Sequence, residues 1–86
     1  MIAKNYIIKN TIGLHARPAA LFVKQAAGFE SNIKIIKDNK EADAKSIISI
    51  MALGAVKGSE ITIKADGLDS EKAIESLILL LDSFVD

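Results

Sequence analysis

The sequence contains no cysteine and no tryptophan, and it has a single histidine and a single proline among its 86 residues. The absence of cysteine excludes a disulfide framework, thiol catalysis and the commonest soft ligand for metal ions. A zinc site would need carboxylates around one histidine, which is unusual. We therefore expect no metal ion and no cofactor, and we expect a cytoplasmic protein, because disulfides are rare in that compartment.

The sequence also lacks an excess of either charge and a long apolar run. Its 11 basic residues balance its 11 acidic residues, whereas nucleic-acid-binding proteins normally carry a basic excess. The longest apolar run, Leu77 to Leu81, is far shorter than a membrane span, and residues 1–5 lack the apolar core of a signal peptide. We expect neither a nucleic-acid partner nor insertion into a membrane.

Half of the residues are hydrophobic, which at this length predicts a single packed domain over residues 1–86. The predicted elements are a strand at Lys4–Asn10, a helix from Ala16 to about Ala27, strands at Ser31–Lys37 and Lys40–Asp43, a short helix at Ile47–Leu53, a strand at Glu60–Ala65 and a last helix capped by Asp69 or Ser70. The order β-α-β-β-α-β-α predicts an α+β fold. We expect an open-faced two-layer sandwich, in which a four-stranded, mainly antiparallel sheet carries three helices on one face.

The single histidine, His15, precedes the first predicted helix. Pro18 marks the first turn, because a missing N–H costs nothing there. The first N–H groups of a helix lack intrahelical acceptors and carry partial positive charge, so they bind anions such as phosphate. Arg17 adds a permanent cation that can bind phosphate oxygens in a bidentate manner.

A neutral imidazole nitrogen can attack phosphorus, so His15 is a candidate phosphoryl acceptor, with Ala16 and Arg17 as candidate phosphate-binding residues. From the residues alone, a surface histidine without function remains an equal alternative. Gly13 has two interpretations as well. It is either an ordinary loop residue or a position where the backbone approaches a phosphorylated partner closely.

Two helix surfaces are candidate contact sites. In the first helix, helical spacing buries Ala19, Phe22, Val23 and Ala26 and exposes Ala16, Arg17, Ala20, Lys24 and Ala27. In the second, burial of Ile50 and Leu53 leaves Ile47, Ile48 and Met51 toward solvent, although ordinary core packing would also explain these apolar residues. Ser46 is a favoured N-cap for that helix, which accounts for it without any regulatory role.

Two segments carry a family resemblance. The segment Gly13-Leu14-His15-Ala16-Arg17-Pro18-Ala19 resembles the active-site motif of the HPr family, the histidine-containing phosphocarriers of bacterial sugar phosphotransferase systems. Residues 44–54 resemble the regulatory serine segment of that family, and the chain length, the order of elements and residues 58–63 also agree. The resemblance covers essentially the whole chain.

The resemblance implies a carrier rather than an enzyme. Phosphorylated Enzyme I would donate a phosphoryl group to Nδ1 of His15, Arg17 would stabilise it, and IIA domains of sugar permeases would receive it. Exposed residues of the two helices would form the docking surface for these partners: Ala20, Lys24, Ile47, Ile48 and Met51. A monomer is expected, because the carrier must present one face to each partner.

The resemblance also implies regulation at Ser46. In Gram-positive members the matching serine is phosphorylated by the HPr kinase/phosphorylase and acts with a catabolite control protein. The run from Ile47 to Met51 looks closer to those members, although many of them have Met and Gly at the positions of Ile48 and Ser49. Two alternatives stay open: a regulatory paralogue in a nitrogen-related phosphotransfer chain, and a small α+β binding domain without phosphoryl transfer.

Overall fold

A computed structural model describes residues 1–85 as one four-stranded sheet and three helices. In chain order the elements are β1 (Ile2–Ile7), α1 (Ala16–Ala27), β2 (Asn32–Lys37), β3 (Lys40–Asp43), α2 (Ile47–Ala52), β4 (Glu60–Asp66) and α3 (Ser70–Ser83). The strand order is β1-β4-β2-β3, and each neighbouring pair is antiparallel. The predicted open-faced α+β sandwich is confirmed.

The hydrophobic core lies between one face of the sheet and the helices. Alternate residues of a strand point to the same face, and four isoleucines of the two central strands are completely buried there: Ile33, Ile35, Ile61 and Ile63. Phe22 of α1, Ile50 of α2 and Leu77 of α3 close the core from the helical side. Burial of each such side chain contributes about 1.5–3 kcal/mol to the stability of the fold. Packing against these side chains holds the three helices on one face of the sheet.

The first strand differs from its predicted position. We expected Lys4–Asn10, whereas β1 ends at Ile7. The inward alternation continues through Ile8 and Asn10, which are both buried, and this is the pattern that the sequence displays. The regular ladder ends at Ile7 because the next pair does not exchange both hydrogen bonds. The Ile8 N–H still donates to the Ser59 carbonyl at 2.9 Å, but the Ser59 N–H donates to the Val56 carbonyl instead of returning to Ile8. The other predicted boundaries agree to within one residue.

Asp69 occupies the N-cap position of α3, but its carboxylate makes no cap hydrogen bond. It accepts instead from the Ser31 hydroxyl and from the N–H groups of Ser31 and Glu30, the last at 2.8 Å. The Ser31 hydroxyl and these N–H groups hold the pKa of the Asp69 carboxyl below its usual range. Of the two predicted cap residues, Asp69 therefore holds the N-cap position, but its side chain bonds to another segment instead of to its own helix. It fastens the loop between α1 and β2 to the start of α3.

Candidate functional site

His15 is the N-cap residue of α1. Its backbone is extended, with φ −119° and ψ 154°, and its side chain makes no cap hydrogen bond. The imidazole lies on the exposed surface rather than inside the core. An imidazole in this position is accessible to another macromolecule.

The first turn of α1 offers two N–H donors, on the two residues that follow His15. The N–H groups of Ala16 and Arg17 donate to no protein acceptor among residues 1–85, and Pro18 has no N–H. The N–H of Ala19 reaches the carbonyl of His15 only at 3.5 Å, which is long for a hydrogen bond. The helix start therefore has free donors and the positive end of a helix dipole, as the sequence predicted.

Arg17 supplies the charge of the site. Its side chain is exposed, and within residues 1–85 its guanidinium forms no ion pair with a carboxylate. A free guanidinium can bind phosphate oxygens in a bidentate manner. His15, Ala16 and Arg17 are thus consecutive residues of one exposed helix start that can hold an anion.

Ala16 has a backbone conformation that the sequence did not reveal. Its φ is +39°, in the region where a Cβ crowds the backbone at a cost of about 1–2 kcal/mol. This left-handed residue turns the chain between the extended His15 and the regular helix that follows. The strain therefore lies between the candidate nucleophile and the arginine. No sequence signal pointed to it, because alanine is ordinarily a good helix former.

Gly13 brings the loop that carries His15 against a second loop, residues 53–59. Gly13 has φ +64°, and a Cβ there would overlap the carbonyl oxygen of Ala55 and lie 2.8 Å from Cα of Val56. The next residue, Leu14, is buried, and its N–H donates to the same Ala55 carbonyl at 3.0 Å. Gly13 is therefore more than an ordinary loop residue, because its backbone approaches another segment of the same chain closely. Close approach to a phosphorylated partner stays a prediction.

The exposed strip predicted for α1 is present. Its five residues are all exposed, namely Ala16, Arg17, Ala20, Lys24 and Ala27. On the opposite side, Phe22 and Ala26 are buried and Val23 is half-buried. The surface is low in relief because three of the five side chains are alanine, and it carries two cations.

Helix α2 packs against α1 and presents apolar side chains. Ile48 is 79% exposed and Ile47 is 39% exposed, whereas Met51 is half-buried and packs against the core. Exposed isoleucine on a helix of six residues is a candidate contact patch. We call Ala20, Lys24, Ile47, Ile48 and Met51 the α1–α2 surface. The tertiary fold places its members on two neighbouring helices.

Ser46 is the N-cap of α2, as expected. Its side chain is half-buried and accepts a hydrogen bond from the Ser49 N–H at 3.3 Å. The first turn of α2 contains no acidic residue. The preceding residue, Lys45, donates from Nζ to the carbonyl of Phe29 at 2.7 Å, which ties the start of α2 to the chain after α1. The serine thus has a structural role as a cap.

Neither a metal cluster nor a membrane span is found in the described part of the chain. Residues 1–85 contain no group of three or more His, Cys, Asp or Glu side chains arranged to hold a metal ion. None of their helices is long and apolar enough to cross a bilayer.

The open-faced α+β sandwich presents an exposed imidazole at a helix start whose N–H groups and arginine can hold an anion, which suits a small protein that binds or carries an anionic group. A family model described as "PTS HPr component phosphorylation site" matches residues 2–83. Phosphocarrier protein HPr of Mycoplasma capricolum is 48% identical over 71 residues, which are 83% of this chain and 80% of the relative.

Two further relatives cover nearly the whole chain. Phosphocarrier protein HPr of Vibrio cholerae is 43% identical over 82 residues, covering 95% of this chain and 96% of the relative. The crystal structure of HPr-C-His from Thermoanaerobacter tengcongensis superimposes with a TM-score of 0.94 at 49% identity, covering 96% of this chain and 93% of that one. The chain belongs to the HPr family, the phosphocarrier proteins of the phosphotransferase system.

Proposed function

We propose that this chain accepts a phosphoryl group on His15 from phosphorylated Enzyme I and passes it to IIA domains of sugar permeases. The observation that carries the proposal is the exposed imidazole at the start of a helix, followed by two N–H groups without an acceptor within residues 1–85 and, two residues further along the chain, by the exposed Arg17. Membership of the HPr family supports the same role. An exposed site suits exchange between proteins better than turnover of a small substrate.

The transfer conserves atoms and charge. With the imidazole proton on Nε2, the lone pair of Nδ1 of His15 attacks phosphorus and the new N–P bond forms. The bond between phosphorus and Enzyme I breaks, and its electron pair stays with Enzyme I. The Nε2 proton passes to solvent, and the group that leaves on Enzyme I takes up a proton. The phosphoryl oxygens then accept hydrogen bonds from the N–H groups of Ala16 and Arg17 and from the Arg17 guanidinium. The IIA domain repeats the attack on the same phosphorus and leaves His15 free. No cofactor takes part in this scheme, and the chain acts as a carrier rather than as an enzyme.

Labelling with phosphoenolpyruvate tests this function. Incubation with the Enzyme I of a sugar phosphotransferase system and labelled phosphoenolpyruvate is expected to place one acid-labile phosphoryl group on the wild type and none on His15→Ala. Addition of a IIA domain is then expected to remove the label. A wild type that takes no label would favour a binding domain without transfer. Label that the sugar-system IIA domain does not remove would favour the nitrogen-related paralogue.

We propose in addition that the α1–α2 surface is where Enzyme I, and then a IIA domain, docks. Lys24 and Arg17 are exposed cations, which favour partners with acidic surfaces. Ile48 supplies exposed apolar area on the neighbouring helix. A monomer would present this surface to one partner at a time.

Ser46 is proposed as a regulatory site, phosphorylated by an HPr kinase/phosphorylase and then read by a catabolite control protein. Its position as N-cap supports a specific physical effect. A phosphate at a helix N-terminus meets the positive end of the dipole, so it stabilises the helix. Inhibition of transfer would then arise from negative charge on a surface that meets an acidic partner.

Ser46→Asp is expected to slow transfer from Enzyme I while the melting temperature stays equal or rises. Aspartate is itself a favoured N-cap and carries the negative charge. Ser46→Ala is the matched control: it removes the cap at a cost of about 1 kcal/mol and leaves the surface charge unchanged, so transfer is expected to continue. Thermal melts and transfer rates measure both. A clear drop in the melting temperature of Ser46→Asp would contradict this mechanism.

A further inference from the structure

The segment between β1 and α1, residues 8–15, carries His15 without regular secondary structure. It is anchored at both ends on the loop at residues 53–59. At one end Ile8 exchanges hydrogen bonds with that loop, donating to Ser59 and accepting from the N–H of Gly58 at 2.8 Å. At the other end the Leu14 N–H donates to Ala55. The position of His15 depends on how the residues between these anchors are held.

Asn10 is the buried polar residue between the two anchors. Its side chain is only 4% exposed, whereas its neighbours Lys9, Thr11 and Ile12 are exposed. The Asn10 carbonyl accepts from the Gly13 N–H at 3.2 Å, and its Nδ2 donates to the Gly13 carbonyl at 3.0 Å. Burying a side-chain amide costs free energy unless the amide is hydrogen-bonded. In the turn from Asn10 to Gly13, each of the two residues therefore donates one hydrogen bond to the other.

The second of these bonds has a consequence for the peptide that joins Gly13 to Leu14. The Gly13 carbonyl and the Leu14 N–H belong to the same planar peptide unit. Asn10 Nδ2 holds its oxygen, and the Ala55 carbonyl holds its N–H. This plane is therefore fixed from both sides, one residue before His15.

We propose that Asn10 is a positioning residue for phosphoryl transfer, which holds the Gly13–Leu14 peptide so that His15 projects from the start of α1 in the reactive orientation. The inference rests on the proposed role of His15 as the acceptor. Transfer between two proteins requires the attacking nitrogen and the phosphorus to be aligned in the complex, and a displacement of about 1 Å can cost 10²-fold in rate. Loss of the Nδ2 donor removes that hydrogen bond of the Gly13 carbonyl and leaves the peptide plane held from one side only, by the Ala55 carbonyl.

The test compares Asn10→Ala and Asn10→Asp with the core variant Ile63→Val. Both Asn10 variants remove the donor, and Asn10→Asp keeps nearly the same side-chain size. Ile63→Val lowers stability from a completely buried position in β4, outside the His15 segment. With Enzyme I and phosphoenolpyruvate, well below the melting temperatures, we expect kcat to fall about 10-fold in the folded Asn10 variants with KM within 2-fold. Ile63→Val is expected to keep both values.

Nuclear magnetic resonance gives a second readout that needs no partner. In the Asn10 variants, the amide signals of Gly13 and Leu14 and the imidazole signals of His15 are expected to shift, while those of Ile63→Val stay in place. A wild type without label would refute the proposed acceptor, and the resonance shifts would still decide whether Asn10 positions His15. Unchanged His15 signals, an unchanged kcat in a wild type that is labelled, or an equal loss in Ile63→Val would each overturn the inference.

Discussion

Gly13→Ala is expected to lower the free energy of unfolding by about 3 kcal/mol, because left-handed strain and overpacking add at this position. The backbone of Gly13 has φ +64°, and an added Cβ would overlap the carbonyl oxygen of Ala55 and crowd Cα of Val56. Both neighbours are backbone atoms, so relief requires a movement of the loop at residues 53–59. Urea unfolding monitored by circular dichroism measures the loss.

Gly54→Ala provides the matched control. Gly54 also has φ +64°, but a Cβ there would meet nothing within 4 Å. The loss is therefore expected to be about 1–2 kcal/mol, from backbone strain alone. Equal losses in the two variants would show that the close approach of the two loops contributes nothing to stability. Gly13→Ala should also slow phosphoryl acceptance below its melting temperature, because Leu14 and His15 follow the displaced backbone.

Ile48→Asp is expected to slow transfer from Enzyme I at least about 30-fold, the effect of losing one interface hot spot worth about 2 kcal/mol. Ile48 is 79% exposed on α2, so the substitution removes apolar contact area and adds a negative charge that an acidic partner repels. Stability is expected to stay within about 0.5 kcal/mol of the wild type, as is usual for a surface position. Transfer rates at varied Enzyme I concentration, beside urea unfolding, separate the two effects.

Leu79→Asp is the matched control for this prediction. Leu79 is 70% exposed and lines a groove between α3 and β1 with Ile2 and Lys4, and it is not part of the α1–α2 surface. Its substitution is expected to leave transfer unchanged. Met51 is half-buried against the core, so Met51→Asp is expected to lower stability as well as transfer. A loss of transfer no larger than the loss of stability accounts for would remove Met51 from the surface. A normal transfer rate in Ile48→Asp would remove that residue as well.

Much of the fold was predictable from local patterns. The first helix begins and ends at the expected residues because Pro18 belongs to its first turn and Gly28 follows it. The strands were recognisable because one face of the sheet is buried and the other is exposed, so that apolar residues alternate. The end of β1 was not predictable, since Ile8 and Asn10 continue the alternation after the ladder has ended.

The sequence predicted which chemical groups the candidate site contains, but it did not predict the contacts that hold the surrounding loops in place. The neighbours of His15 are consecutive in the chain, so their chemistry can be read directly from the motif. The partners of Gly13, Leu14 and Asp69 depend on which loops meet in the folded chain. Asp69 illustrates the difference, because a helix cap is a local expectation, whereas its carboxylate binds the backbone of Glu30 and Ser31 across the fold.

The sequence by itself determined the order of the elements, the apolar face of each, and the presence of an imidazole beside an arginine at a helix start. These depend on neighbours within a few residues, where backbone sterics and helical or strand periodicity act. Only the tertiary structure decided that the His15 segment rests on residues 53–59, that Asn10 and Ala55 hold the Gly13–Leu14 peptide from two sides, and that Ala16 is left-handed. The first two features involve contacts between segments that are far apart in the sequence and meet only in the folded chain, and no sequence signal marks the third.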